Sequence, residues 1–527
     1  MNIYFIGMCI SMAVYIVIGL LVSRKVKSVD DYYVAGRRAP GILIVGSLVA
    51  SYASTGIFIG DSGEYYQGGM NGLYLCGIMT TSGYILGAVF FGRYLRRSEA
   101  LTIPEFIGRR FHSKHVKNLA TITAVATMEV YLISVLQGVG TLMNAVTGIS
   151  YDACILMAVI VFTAITTLSG SSGVLITDTI MATLFTTALI VAVFFMGHTA
   201  GGWFHTLETI AQTPSLRELL SWKGVPGVVS TTSVNSIIWG IINGIVWMSV
   251  AMVGPWQSSR YMMAKNESTV ISSTIPSAFG IFLIESSILM SAMFVKMVNP
   301  DIADPNQVMI WGAMHMIPTI LGVLLLTGIL AAGISSATTF LSLIGASMSN
   351  DVVGNRYNKI TVGRIAMLIA SFIATLFCIF NPPALFWIML FGGAIVASSW
   401  MPTIMASVLS KRLTKAGAYA GMLAGFVVCF GVRLYTAVTG VMLSPFLDHA
   451  FLGMLANIAA MVIVSHFTQV TLEEKATREK MFIMPESEKD PVEVKKALSF
   501  SKAGMLVGVV ILVLLLIFWA VPFAIYS

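Results

Sequence analysis

Long apolar runs alternate with short polar segments along nearly all of this chain. A run of about 17–25 apolar residues is long enough to cross the hydrocarbon core of a bilayer as a helix. Fourteen runs meet this criterion, at residues 3–22, 41–60, 73–93, 119–147, 153–169, 174–196, 234–256, 269–296, 316–346, 361–380, 383–409, 417–439, 449–468 and 504–526. The pattern therefore predicts an all-α polytopic membrane protein with about 14 transmembrane helices.

Charge is distributed unevenly between the two sets of loops that these spans create. With the N-terminus outside, the inner loops carry 27 of the 31 Lys and Arg residues, the outer loops carry 3, and Arg433 lies in a span. Basic residues close to span ends are retained in the cytoplasm. The sequence therefore predicts a multi-pass protein of the cell (plasma) membrane with both termini outside.

Composition and loop length exclude several classes of function. The 527 residues are 57% hydrophobic and 10% charged, against about 25% charged in an ordinary globular protein. The net charge of +7 follows from the loop asymmetry, so it does not indicate nucleic-acid binding. The longest non-spanning stretches, 197–233 and 470–503, are too short for a catalytic or ATP-binding domain. We therefore predict neither an enzyme nor an ATP-driven pump.

Spans two to six and seven to eleven form two sets of five. An odd number of spans per set gives the two sets opposite orientations, so any structural repeat between them must be inverted. The predicted units are an N-terminal accessory helix and inner loop at 1–40, a first five-helix repeat at 41–196, an outer loop at 197–233, a second five-helix repeat at 234–410, and C-terminal accessory helices at 411–527 with an inner linker at 470–503.

The ninth span contains the stretch LAAGISSATTFLS, which places five hydroxyl side chains within eight residues. On a helix, Ala332, Ser335, Ser336 and Thr339 share one face, and Thr338 lies beside Ser335. Neutral hydroxyl oxygens, completed by backbone carbonyls, suit a small hard cation. This face therefore predicts a binding site for sodium.

Carbonyl groups become free for a cation only where a helix is interrupted. The second span contains SLVASYASTGIFIGDSG, and the seventh combines Gly240, Asn243 and Gly244 with Gly254 and Pro255. Unwound backbone inside a membrane is tolerated where it lines a cavity, and interruptions at corresponding places in two halves indicate a midplane site. We therefore expect these two spans to be broken helices.

Four charged residues, Glu129, Asp178, Glu285 and Arg433, fall inside the predicted spans. Ionisable groups in the bilayer are expensive, which makes each of them a functional hypothesis.

Four motifs occur along the chain in a fixed order. DDYYVAGRR at 30–38 follows the first span, a Thr-Asp pair at 177–178 lies in the sixth, W-x7-P-x4-R runs from Trp247 to Arg260, and AAGISSATTFLS lies in the ninth. Together they resemble the sodium:solute symporter family, and the third is similar to its bacterial proline-symporter branch. The resemblance implies a LeuT-like 5+5 inverted-repeat core and sodium-driven uptake of a small solute by alternating access.

The resemblance also implies sodium ligands. Carried over by motif, the main site takes backbone oxygens and two hydroxyls, from Ala50, Ala53, Ala332, Ser335 and Ser336. A second sodium, which some members use, would take Asp178, Thr338 and Thr339. Sodium is thus the expected coupling ion, and no organic cofactor is predicted.

Departures from the family pattern bear on the solute. An Asp of the proline branch is Tyr52 here, and a Gln that often follows the Thr-Asp pair is Met181. The aromatic pair of the sugar branch is replaced by Val250 and Ala251. Proline is therefore not predicted as the solute, and a sugar is disfavoured.

Solute contacts are expected from the two broken helices and the third span of the first five-helix repeat. The candidates are Tyr52, Ser54, Thr55, Tyr131, Gln137, Asn243 and Trp247. The N-terminus of a half-helix favours a carboxylate, so an amino acid or a small organic anion is the expected solute.

We predict a sodium-coupled symporter that imports a small organic solute across the lipid bilayer. The alternative is a proton-coupled carrier that uses Asp178 or Glu129 as its proton site. The solute's identity, the number of sodium ions and the oligomeric state stay open.

Overall fold

A computed structural model describes residues 2–23, 29–68, 70–222, 225, 232–353, 357–381, 383–441, 443–488 and 490–526. These residues are helical or irregular, and the only β-bridge among them joins Ala39 and Ala264.

The α-helices, numbered in chain order, are α1 Ile3–Ser23, α2 Val29–Val34, α3 Gly41–Tyr52, α4 Ser62–Gln67, α5 Met70–Gly87, α6 Arg93–Arg97, α7 Ile103–Phe111, α8 Lys114–Thr147, α9 Tyr151–Thr199, α10 Trp203–Gln212, α11 Ser233–Val253, α12 Pro255–Met263, α13 Glu267–Val298, α14 Val308–His315, α15 Thr319–Ser347, α16 Lys359–Phe380, α17 Leu385–Ile395, α18 Met401–Leu409, α19 Lys415–Thr439, α20 His449–Phe467, α21 Leu472–Phe482, α22 Pro491–Leu515 and α23 Val521–Tyr526. Five π-helical segments are Gly56–Asp61, Ala88–Gly92, Met348–Val353, Val396–Trp400 and Leu516–Ala520. Among the described residues, 3-10 turns occur at Ala35–Arg37, Arg217–Leu220, Pro305–Gln307, Pro445–Leu447 and Glu486–Glu488.

The number of membrane spans is consistent with a polytopic protein but does not reach fourteen. Within the described residues, 11 helices are long and apolar enough to cross a membrane, and a bent pair makes up to 12. Two further apolar helical stretches, Ile3–Ile18 and Tyr151–Thr167, are shorter. The predicted fifth and sixth spans both lie in α9, whose side chains at 168–173 are outside the described residues. The count of fourteen and the 5+5 repeat stay predictions.

The second span is broken, as predicted, but it is longer than the pattern indicated. Helix α3 ends at Tyr52, Ala53 is extended with φ −68° and ψ 112°, and the chain resumes as a π-helical turn and α4, bent by 49°. The span therefore runs to Gln67 rather than to residue 60. The extension brings Asp61, which the sequence placed beyond the span, into the buried interior.

The seventh span is interrupted at only one of the two places that the sequence indicated. Helix α11 is continuous through Gly240 and Gly244, and the interruption falls at Gly254, whose φ and ψ are −55° and 136°, before Pro255. A residue before proline is disfavoured in the helical region, which explains this position. A Cβ at Gly240 would lie 2.7 Å from the carbonyl oxygen of Gly72, so that glycine permits close packing of α11 on α5.

Helix α15 lies at the centre of the molecule. Every side chain from Leu325 to Ser342 is buried, and the helix packs against α9, α8, α16 and α1. Small residues allow these close contacts, since a Cβ at Gly328 would meet Phe185 at 3.0 Å and one at Gly333 would meet Val139 at 2.6 Å. The hydroxyl face of α15 is therefore enclosed by other helices and does not contact lipid.

The predicted inner linker at 470–503 includes a docked helix. Arg110 of α7 is buried and donates hydrogen bonds to the carbonyl oxygens of Ser407, at 2.8 Å, and Glu474, at 3.0 Å. Burial lowers the pKa of the Arg110 guanidinium to about 10. These contacts hold α21 against α7 and α18.

Candidate ion and solute site

Four hydroxyl side chains of α15 lie on the predicted face, each at most 3% exposed: Ser335, Ser336, Thr338 and Thr339. Ser335 Oγ donates to Asp178 Oδ1 at 2.6 Å, and Thr338 Oγ1 donates to the Ser335 carbonyl at 3.0 Å. Ser336 Oγ has no hydrogen-bond partner among the described residues. A buried hydroxyl without a partner costs free energy, and a cation bound beside Ser336 would satisfy it.

The break in the second span supplies backbone oxygens beside this face. The Ala53 N–H bonds back to the Val49 carbonyl, and the helix ends there. The last carbonyls of a helix have no partner within it, and Ala50 belongs to that last turn. Ala50, Ala53 and Ala332 are all fully buried, and α3 packs on α15. The structure therefore brings the helices that carry the five proposed sodium ligands into contact.

The oxygen donors fit sodium better than a transition metal. Hydroxyl and carbonyl oxygens are hard, neutral ligands. Among the described residues, no group of three or more His, Cys, Asp or Glu side chains is arranged to hold a metal ion. The Ser335 hydroxyl donates a hydrogen bond to Asp178, and its oxygen keeps lone pairs that are free to bind a cation.

A buried ion pair lies next to this face. Arg260 Nη2 contacts Asp178 Oδ2 at 2.9 Å, and the two side chains are 1% and 0% exposed. Arg260 also donates to Thr339 Oγ1 at 2.8 Å and to Ser47 Oγ at 2.9 Å, while Ser47 donates to Asp178 at 2.5 Å. We call Ser47, Asp178, Arg260, Ser335 and Thr339 the balanced cluster, because its two opposite charges are paired. It joins α3, α9, α12 and α15.

Sequence reasoning missed the role of Arg260. The predicted span ended at residue 256, which counted Arg260 as an inner-loop residue, whereas α12 continues to Met263 and buries it. The W-x7-P-x4-R spacing could have indicated this, because a helix that begins at Pro255 still contains Arg260 five residues later. Its guanidinium also occupies hydrogen-bonding positions on Asp178 and Thr339, two of the three ligands proposed for a second sodium.

Three of the seven predicted solute contacts, Tyr52, Tyr131 and Trp247, line one aromatic cavity. The Tyr131 ring lies 5.0 Å from that of Trp256 and 6.1 Å from that of Trp247, measured between centroids. The remaining lining residues are Ser51, Thr80, Tyr84, Val250, Ala251, Trp256 and Gln257.

The other four predicted contacts bond to protein groups and do not line the cavity. Ser54 interacts with the Tyr131 side chain, and Thr55 donates to the Val135 carbonyl at 2.9 Å. Gln137 accepts a hydrogen bond from the Ala384 N–H at 3.0 Å. Asn243 donates to the Trp239 carbonyl at 3.0 Å, within its own helix. None of these four lines the aromatic cavity.

A second, acidic cavity adjoins the first and shares Tyr52, Thr80 and Trp247 with it. Asp61 and Glu285 line it, and both are at most 4% exposed. Tyr52 donates its hydroxyl to Glu285 Oε1, and Tyr65 donates to Glu285 Oε2 at 3.2 Å. Glu285, one of the four charges predicted to lie inside spans, thus has two tyrosine partners. One of them is Tyr52, at the position where the resemblance to the proline branch implies an Asp.

The two remaining charges inside spans stand apart from these cavities. Glu129 of α8 has a buried Oε1 atom without a hydrogen-bond partner among the described residues. Arg433 lies partly exposed in α19.

Comparison with known proteins decides the family. The model of the sodium:solute symporter family matches residues 32–425, which is most of the chain. The chain belongs to the sodium:solute symporter family. The symporter is 23% identical over 449 residues to the sodium/proline symporter of Salmonella typhimurium, covering 81% of this chain and 87% of that protein. It is 22% identical over 487 residues to the osmoregulated proline transporter of Bacillus subtilis, covering 89% and 94%.

Solved structures agree on the fold. The substrate-bound, outward-open structure of a Na+-coupled sialic acid symporter superposes with a TM-score of 0.72 at 18% identity, covering 89% of this chain and 99% of that one. The fold is thus the LeuT fold predicted above. The symporter is a multi-pass plasma-membrane transporter of a small solute coupled to sodium, and it is not an enzyme.

Proposed function

We propose that the symporter imports a small organic solute with sodium, and that the sodium ion binds between the broken second span and α15. The unpartnered hydroxyl of Ser336 is the observation that carries this proposal. The ligands are the oxygens of Ala50, Ala53 and Ala332 with the hydroxyls of Ser335 and Ser336. Sodium bound there links two helices, so it favours the conformation in which they are in contact.

The balanced cluster supports this site without adding net charge to it. Asp178 holds Ser335 by a hydrogen bond at 2.6 Å, and Arg260 neutralises Asp178. A second sodium at Asp178, Thr338 and Thr339 would share Asp178 with the guanidinium. One sodium ion per solute is therefore the stoichiometry that we propose.

The aromatic cavity is the proposed solute site. Val250 and Ala251 line it with apolar groups where a sugar needs several hydrogen-bonding partners. Of the expected solutes we retain the amino acid, with Tyr52, Tyr131 and Trp247 as its contacts. Similarity to proline symporters supports this class, and the exchange of Asp for Tyr52 separates this chain from them. Ser54, Thr55, Gln137 and Asn243 then act by shaping the broken helices.

Alternating access couples the two ligands. Outside sodium binds first, solute follows, and both are released inside after the helices rearrange, because each ligand raises the affinity for the other by the same factor. From the distribution of Lys and Arg between the loops, we propose that both termini lie outside the cell.

Thermal unfolding of the purified symporter in NaCl and in KCl at equal ionic strength tests the sodium site. We expect NaCl alone to raise the melting temperature, and Ser336→Ala to weaken the apparent sodium affinity about tenfold, or about 1.4 kcal/mol. Ser342→Ala, which removes another buried hydroxyl of α15, is the matched control. Equal responses of wild type and Ser336→Ala would refute the site.

A proton-coupled carrier is the second candidate, because Glu129 Oε1 is buried without a partner. Asp178 is a poorer proton site, since Arg260 stabilises its charged form. The two candidates differ in the current that reconstituted protein carries after a sodium jump or a pH jump. A current that needs only the pH jump, and is lost in Glu129→Gln, would replace sodium coupling with proton coupling.

A further inference from the structure

The acidic cavity carries two carboxyl groups and no basic group. Asp61 and Glu285 face it from the second span and from α13, and Lys, Arg and His are absent from the described residues that line either cavity. Arg260 belongs to the balanced cluster, where it pairs with Asp178 and not with Asp61 or Glu285. Carboxylates buried without a counter-charge are costly in a membrane.

Three residues that line the two cavities have a buried polar atom without a hydrogen-bond partner among the described residues. Asp61 Oδ1 has no hydrogen-bond partner among the described residues, although the side chain is 96% buried. In the adjoining aromatic cavity, the Tyr84 hydroxyl and Gln257 Oε1 are likewise buried without partners. Two of these three atoms are acceptors only, so a ligand that donates hydrogen bonds or carries positive charge fits them.

Gly77 leaves a small open space beside the Glu285 carboxyl group. A Cβ at Gly77 would lie 3.0 Å from Glu285 Cδ, so any larger residue there would fill the space beside the carboxyl group. The open space is about that of one water molecule. A bound group would therefore have to displace the Tyr52 hydroxyl from Glu285.

Aromatic side chains line the adjoining aromatic cavity and the side of the acidic cavity that the two share. Trp247 borders both cavities, and Tyr84, Tyr131 and Trp256 line the aromatic cavity. The faces of aromatic rings attract alkylated ammonium groups by cation–π interaction. Carboxylates at one end and aromatic rings at the other are the chemistry that recognises an amine.

We propose that the solute carries an ammonium group, a protonated amine or a quaternary ammonium, which binds between Asp61 and Glu285 against Trp247. The inference rests on the proposed transport function and specifies its solute. It agrees with leaving the small organic anion out of the expected solutes, because an anion would meet two carboxyl groups and no basic group among the described lining residues. An amino acid stays compatible through its ammonium group, while its carboxylate lies toward the broken second span.

A binding screen in NaCl tests the proposal. The probes are propylammonium, choline, glycine betaine, L-proline and L-lysine, with 1-propanol, 3,3-dimethyl-1-butanol and propionate as uncharged or anionic counterparts. Choline and 3,3-dimethyl-1-butanol have nearly the same shape and differ in charge. The readout is the sodium-dependent shift of the melting temperature of the purified symporter.

We expect at least one ammonium probe to stabilise the protein in NaCl, with no effect of its counterpart. Asp61→Asn and Glu285→Gln should each weaken that probe at least about tenfold, as loss of a charge-assisted contact implies. Glu64→Gln, one turn from Asp61 and outside the lining residues, is the matched control. All three variants should keep the shift produced by NaCl alone.

The outcomes separate the two proposals. A sodium-specific shift without any response to ammonium probes, or with a response to propionate or a neutral counterpart instead, would overturn the ammonium site and leave sodium coupling standing. Unchanged binding of the ammonium probe in both carboxyl variants would also overturn it. Absence of any sodium-specific shift in wild type would count against the proposed function itself.

Discussion

The balanced cluster, with one buried carboxylate, and the acidic cavity, with two, both include residues of the broken second span, and they differ in charge balance. In the balanced cluster, Asp178 accepts hydrogen bonds from Ser47 and Ser335 and pairs with Arg260. In the acidic cavity, Glu285 accepts hydrogen bonds from two tyrosines, and Asp61 keeps an unpartnered oxygen.

The difference teaches how to distinguish a structural charge from a binding one. A carboxylate that the protein itself satisfies holds helices together and positions neighbours such as Ser335. A carboxylate that the protein leaves unsatisfied is completed by something that enters from outside. Opposite responses to neutralising substitutions should therefore separate the two groups.

The largest effect is expected at Arg260. Arg260→Met leaves Asp178 buried and unpaired, which costs about 3–5 kcal/mol of unfolding free energy. Thermal or denaturant unfolding of the purified protein measures this loss. Asp178→Asn combined with Arg260→Met removes both charges, so the double variant should recover much of the stability. A single variant as stable as wild type would show that the pair is not formed.

An effect of opposite sign is expected at Glu285. Glu285→Gln removes one of two buried carboxyl groups that have no counter-charge and keeps an acceptor for Tyr52 and Tyr65, so it should raise the stability of the solute-free protein by about 1 kcal/mol or more. The measurement is the same unfolding experiment without solute. A loss of stability as large as that of Arg260→Met would place Glu285 with the structural charges.

The smallest effect is expected at Asp448, a carboxylate satisfied by backbone at the start of α20. It accepts hydrogen bonds from the N–H groups of Ala450, at 2.8 Å, and Phe451, at 3.4 Å. Burial acts to raise its pKa, but the hydrogen bond and charge of His449 and these N–H groups hold the pKa below the ordinary value. Asp448→Ala should cost about 1 kcal/mol as the loss of a helix cap.

The pH dependence at Asp448 follows from the lowered pKa. The stabilising contribution is complete above the unfolded-state pKa of about 3.9 and is lost as pH falls through the lower folded-state value. Unfolding of wild type and Asp448→Ala at neutral pH and near pH 3 measures it. A difference between the two proteins that grows on acidification would contradict this assignment.

Periodicity and residue chemistry were sufficient to predict the hydroxyl face. Ser335, Ser336, Thr338 and Thr339 share a buried face because the helix there is regular, and regular helices make spacing predictive. The break after Tyr52 was also predictable, from the Gly, Ser and Thr content around it. The family could be identified because four short motifs occur along the chain in the order typical of it.

Bends in the chain account for what the sequence did not reveal. Asp61 lies one residue, and Arg260 four residues, beyond the apolar run in which its span was expected to end. Both are buried, because a π-helical turn in one case and a proline-started helix in the other continue the span with polar residues. Hydropathy detects the apolar part of a span and misses such continuations.

A glycine in a predicted span can either interrupt the helix or allow close packing against a neighbour, and the sequence alone could not distinguish these roles. Gly240 and Gly244 predicted an interruption, whereas they permit α11 to pack closely on Gly72 and Met79 of α5. The interruption lies at Gly254, where proline follows. A glycine indicates either a close contact or a break, and only the position of neighbouring helices decides which.

Equilibrium binding of radioactive sodium to the purified symporter tests the central claim most directly. Wild type and Ser342→Ala should bind sodium saturably with equal affinity, and Ser336→Ala should bind it about tenfold more weakly because a cation ligand is lost. Equal sodium affinity of wild type and Ser336→Ala, or binding that sodium and potassium share equally, would contradict a sodium site between the broken span and α15.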